Sequence, residues 1–108
     1  MKFIFDGEFY KITRVTGVHH NFLGISFCDD CNTPLEIKAF SSESKQESVF
    51  ESDVKKQVIQ GIEEINKELE TNYKVKKIQF VSSDTPSNSV YSYLAKEIVK
   101  RISVEKVS

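Results

Sequence analysis

Three stretches of this chain carry side chains that chemistry can use. They are Cys28-Asp29-Asp30-Cys31, the pair His19-His20, and the hydroxyl-rich run Ser82-Ser83-Asp84-Thr85-Pro86-Ser87-Asn88-Ser89. Two cysteines at this spacing are half of a zinc knuckle, and the two histidines are the residues that would complete it. Geometry opposes that assembly. Residues 22–28 read as a β-strand, which sets His20 and Cys28 at its opposite ends, roughly 25 Å apart at about 3.3 Å per residue. A thioredoxin-like redox pair opens a helix inside a βαβ unit. Here the pair follows a strand into an acidic turn, where Asp29 and Asp30 disfavour the thiolate. Two reduced turn cysteines are the first reading, with Cys28 and Cys31 as metal ligands second and as a redox couple third. No cofactor is called for. His19 and His20 could serve as a general base or a metal pair only where a turn brings them together, because neighbours on a strand point to opposite sides. Polar turn residues are the plainer reading.

The run 82–89 joins a predicted strand to a predicted helix N-terminus, the place where open α/β sheets hold anions. Ser83, Thr85, Ser87, Asn88 and Ser89 could bind a small anion or phosphate there. Against this, the run has no glycine to let a phosphate reach the backbone, and Asp84 repels anions. Each of these residues is also a good cap or turn former.

A last group is basic. Lys74, Lys76 and Lys77, with Lys96, Lys100 and Arg101, could form an RNA-binding face, with Tyr73 and Tyr91 as stacking surfaces. Lysines on an outward strand row more commonly serve solubility and edge protection. The net charge of −1 argues against nucleic acid as the main partner. No nucleophile with its base, no paired carboxylates and no full ligand set stands at a catalytic spacing. Catalysis is the weakest class.

The elements that would position these groups are legible. Residues 2–5 form a short strand, Asp6-Gly7 a tight hairpin turn, and 8–16 the return strand. Residues 17–21 read as a second turn, and 22–28 as a third strand in which Gly24 marks a bulge or a close approach of another backbone. Residues 29–34 are a third turn and 35–40 a fourth strand, completing an antiparallel meander. Residues 41–48 form a polar, serine-rich flexible loop. Ser48 and Glu51 then make a capping box, and Phe50, Val54, Val58, Ile62, Ile65 and Leu69 carry a helix over 49–71. Gly61 inside it lets a neighbour come close, and Asn72 caps its end. Tyr73, Val75, Ile78, Phe80 and Val81 form a fifth strand whose alternation breaks at Lys76-Lys77, the mark of a β-bulge or of an exposed patch. A second helix follows, with Asp84 or Thr85 as cap, Pro86 at its first position and Val90, Leu94, Ile98 and Ile102 on its apolar stripe. Residues 103–108 read as a frayed tail.

The 108 residues make one α+β domain, a two-layer sandwich with a mainly antiparallel sheet and both helices on one face. This order of elements resembles the ribosomal protein S5 domain 2-like arrangement, of which domain IV of elongation factor G is one member. The resemblance covers most of the chain as an order of elements and carries no motif residue. It implies ribosome or RNA contact in some members and small-molecule catalysis in others. Hydrophobic content of 39% and charged content of 29% suit a folded domain rather than a disordered chain. The first residues do not read as a signal peptide and no apolar run is long enough to span a membrane, so the expected location is cytoplasmic. The function expected first is a non-catalytic module that binds another protein, through its exposed sheet face and the loop before the first helix. RNA or ribosome binding comes second, and a small anion at 82–89 third.

Overall fold

The computed structural model describes residues 2–16, 19–28, 34–40, 49–82 and 89–107. In chain order the elements are β1 (Lys2–Phe5), β2 (Tyr10–Thr16), β3 (His19–Cys28), β4 (Glu36–Phe40), α1 (Glu51–Leu69), β5 (Lys74–Val81) and α2 (Val90–Val107). They build a five-stranded, mostly antiparallel sheet with two helices, an α+β fold. The 29–33 turn, the 41–48 loop and residues 83–88 lie outside the described residues.

The strand order is β1-β2-β3-β5-β4, which corrects the four-strand meander. Only the first three strands pair in sequence. β5 enters between β3 and β4, antiparallel to the first and parallel to the second. The reason is burial. Ile78 and Phe80 of β5 are each 1% exposed, as a central strand requires, whereas Glu36 and Lys38 suit β4 to an edge. A parallel pair needs a long crossover, and α1 supplies it.

At the β1–β2 hairpin, Phe5 pairs with Tyr10, so the connection is longer than Asp6-Gly7 alone. Gly7 takes a φ of 105°, which an L-residue rarely adopts. The Asp6 carboxylate accepts the N–H groups of Glu8 (3.0 Å) and Phe9 (2.8 Å) and closes the loop. β3 begins at His19, so the histidines belong to a strand and not to a turn. The bulge expected at Lys76-Lys77 is present. The β3–β5 register shifts between Ser26, opposite Lys77, and Phe27, opposite Val75.

One face of the sheet packs on both helices. Ile12, Leu23, Ile25, Ile78 and Phe80 meet Val54, Val58, Ile62 and Ile65 of α1 and Tyr91, Leu94, Ile98 and Val99 of α2. The helices cross closely at Gly61, where an added Cβ would stand 2.5 Å from the Ser92 carbonyl oxygen. The cap expectations need correcting. Phe50, not Ser48, is the N-cap of α1; it makes no side-chain cap and is 59% exposed rather than part of the buried stripe. Glu51 and Asp53 favour the helix dipole there instead. At the other end Glu70, not Asn72, takes the left-handed conformation, and Asn66 does the fastening. Its side chain accepts from Thr71 Oγ1 and Tyr73 N–H and donates to the Tyr73 carbonyl, at 2.9, 3.1 and 3.0 Å. α2 receives a cap from α1, because Gln57 accepts the buried Tyr91 N–H at 3.1 Å. α2 then runs to Val107, through most of the expected tail.

Candidate binding surface

The structure disperses the residues that the sequence offered for chemistry. His20 is exposed. Cys28 ends β3 and is disulfide-bonded, which corrects the reading of reduced thiols. The chain has two cysteines, and the second, Cys31, lies outside the described residues. The Cys28 sulfur lies 3.8 Å from the Lys74 carbonyl oxygen, a packing contact, since a disulfide sulfur has no proton to donate. Among the described residues no three His, Cys, Asp or Glu side chains cluster as metal ligands. Of the anion-site candidates, Ser83, Thr85, Ser87 and Asn88 lie outside the described residues. Ser89 is exposed, and its carbonyl accepts the Tyr93 N–H at 3.1 Å.

The six basic residues do not converge. Lys77 bridges Glu8 at 3.0 Å and approaches Glu36 at 3.9 Å; the hydrogen bond and charge of Glu8 hold its ammonium above the usual lysine range. Lys96 pairs with Glu64 of α1, and that contact, helped by Gln60, keeps the Glu64 carboxyl below its ordinary value. Lys100 stands 4.0 Å from Glu97. Arg101 turns the other way, its guanidinium 5.6 Å from the Phe3 ring centre. Lys74 and Lys76 are exposed at the start of β5. Tyr91, expected as a stacking surface, is fully buried and its hydroxyl accepts from Asn21 at 3.4 Å.

A different set of residues comes together at the other end of β2. Phe5, Tyr10, Phe27 and Tyr73, from four neighbouring stretches of the sheet, form a row of rings. Successive centres are 4.3, 6.0 and 5.4 Å apart, the last pair edge to face. These separations suit attractive ring pairs. β1, β2 and β3 each contribute one ring and the residue before β5 the fourth: the register brings Phe5 beside Tyr10, while the bulge returns the β5 side of the row to the face that Phe27 occupies. Tyr73 is held by the Asn66 clamp at the end of α1. Phe5 is 51% exposed and the other three rings are half-buried.

This row lines a cleft of about 1040 Å³ together with Leu69 and Ile102 from the late turns of the two helices. Glu8 and Lys76 stand on its rim, so the charge there is mixed. The Ser103 hydroxyl on its wall is buried without a hydrogen-bond partner. The outer sheet face is different in kind. Val15 and Phe40 are exposed on it, with Lys11, Lys38, Lys77 and Gln79 set among them.

The chain matches no protein-family model, no curated protein and no solved structure. The resemblance to the ribosomal protein S5 domain 2-like arrangement therefore rests on the order of elements alone. Among the described residues, no helix is long and apolar enough to cross a membrane.

Proposed function

We propose that this domain is a non-catalytic binding module that takes a protein partner at its aromatic cleft. The row Phe5–Tyr10–Phe27–Tyr73 supports the reading, because it continues the core face of the sheet and yet stays partly exposed beside an open cleft. A contiguous apolar surface left in water is characteristic of an interaction site. Aromatic side chains also dominate binding energy where partners meet. The contact then sits at the open end of the sandwich, on the helix side, rather than on the outer sheet face.

Lys74 and Lys76 border the same rings, so a short RNA stacked on them is the second reading. The pairing of Lys77, Lys96 and Lys100 with carboxylates weakens it. A disulfide at Cys28 fits an oxidising compartment, or a transient redox pair, better than a steadily reducing cytoplasm.

Selection of displayed random peptides on the folded protein tests the first reading. Peptides should be enriched whose affinity falls about tenfold or more on Phe5→Ser, the loss expected of an aromatic anchor. Enrichment of none, or binding indifferent to Phe5→Ser, overturns it. Binding by a short oligouridine that shifts the Tyr73 and Lys76 amides would put RNA first.

A further inference from the structure

We infer that the free edge of β1 is the docking strand of this domain and that it takes an extended, acidic segment of a partner protein as a sixth strand. The inference rests on the binding-module reading and names the partner's chemistry. β1 is the first strand of the sheet, so among the described residues it pairs on one side only. In an antiparallel pair every second residue directs its N–H and C=O away from its neighbour, and on β1 these groups face the open edge. An edge is usually blunted by charge or by cover. The β4 edge carries Glu36 and Lys38. β1 reads Lys-Phe-Ile-Phe, with Ile4 46% and Phe5 51% exposed. α2 packs on β2 and β3 and reaches β1 through Arg101, which lies over Phe3. On the helix flank beside it Tyr93 and Val104 are 43% and 71% exposed.

Charge decides what enters. The chain has two arginines, and both lie on this flank. Arg14 of β2 sits with its guanidinium 5.9 Å from the centre of the Tyr93 ring, and Arg101 of α2 lies over Phe3. Neither has a carboxylate within 4.0 Å among the described residues, whereas Lys11, Lys77, Lys96 and Lys100 each do. The Arg101 Nε is buried with no hydrogen-bond partner. Glu97, between the two on the same helix flank, approaches Lys100 instead. Two guanidiniums set beside aromatic rings, with no carboxylate paired to them among the described residues, suit the fork geometry of an incoming one. Lys2 adds a third positive charge along the edge. A second copy of this chain is the wrong occupant, because its β1, Lys-Phe-Ile-Phe, carries no carboxylate to meet the two guanidiniums. An acidic strand answers both the open backbone and the charge.

The test uses end-blocked peptides of about seven residues, a usual strand length. Each has a central Phe in a Val/Thr framework, with either Glu or Lys at the alternate positions. The Glu peptide should bind the full chain at least about tenfold more tightly than the Lys peptide, as charge-assisted pairing predicts. Arg14→Gln with Arg101→Gln should abolish the preference. Should that pair unfold the protein, the exposed Lys2→Glu substitution must still narrow it. Equal binding of both peptides, binding of neither, or a β1-dependent dimer in sedimentation overturns the inference. Displayed peptides that need Phe5 but ignore both arginines would overturn it while leaving the binding-module reading intact.

Discussion

Ile78 and Phe5 stand near opposite ends of one cross-strand row, Phe5–Tyr10–Ile25–Ile78, on the same face of the same sheet. Ile78 is 1% exposed and Phe5 51%. Both are strongly apolar β-formers, so residue type does not separate them. Helix cover does. α1 lies over β4 and β5 and α2 over β2 and β3, and β1 lies beyond the main packing of both. The same patterning therefore serves two ends: under the helices it drives folding, and beyond them it leaves a surface to which a second molecule can bind.

The comparison is easiest to break in its covered half. Phe80→Ala should cost about 3–5 kcal/mol in urea denaturation, while Phe5→Ala should cost less than about 1 kcal/mol. Equal losses would erase the distinction. Gly61→Ala should destabilise by about 3 kcal/mol, the upper end for overpacking, since the obstructing atom is the Ser92 backbone oxygen and a helix must shift to clear it. A neutral result would mean that the helices pack less tightly than the structure shows. Asn66→Ala should cost about 2 kcal/mol, because it leaves the Tyr73 N–H and carbonyl without their side-chain partner. It should also loosen Tyr73, so that the ring resonances of the aromatic row broaden although no ring has been changed.

The smallest effect belongs to the hairpin at the uncovered end. The Phe9 N–H, then Lys11 and the Glu8 N–H, hold the Asp6 carboxyl well below its ordinary value of 3.8. A carboxyl lowered on folding stabilises above its unfolded value, and that contribution is lost as the pH falls toward the folded one. Asp6→Asn should therefore lower stability at neutral pH, where the carboxylate's contribution is fully present, and flatten the acid limb below about pH 4, so that variant and parent converge in acid. A steeper acid limb in the variant would contradict the assignment.

Local periodicity carried most of the element list. The stripes Val54–Ile65 of α1 and Leu94–Ile102 of α2 lie in the core, though Phe50 and Leu69 at the ends of the first are exposed, and the broken alternation at Lys76-Lys77 is the bulge. What it could not carry was which strands are neighbours. β4 follows β3 in sequence and looks like the next strand of a meander, but pairing with β5 depends on how α1 carries the chain back to the sheet. The aromatic row was hidden for the same reason. Phe5, Tyr10, Phe27 and Tyr73 are far apart in sequence, and only the register sets them side by side. Gln57 left a clearer trace, a polar residue on the apolar stripe of α1, and such a residue wants a buried partner. The disulfide at Cys28 left none beyond the spacing itself, which suits a turn, a metal site or a bridge equally well.

The most direct test of the division between a covered core and a binding flank is native-state amide exchange of the full chain, with and without the Glu-substituted peptide. Without it, β1 amides should exchange faster than those of β3 and β5, which the helices cover. With it, protection should rise at Lys2–Phe5 and around Arg101, leaving β3, β5 and α1 unchanged. Protection that appears at β4 or the outer sheet face, or that spreads evenly over the core, would contradict the account.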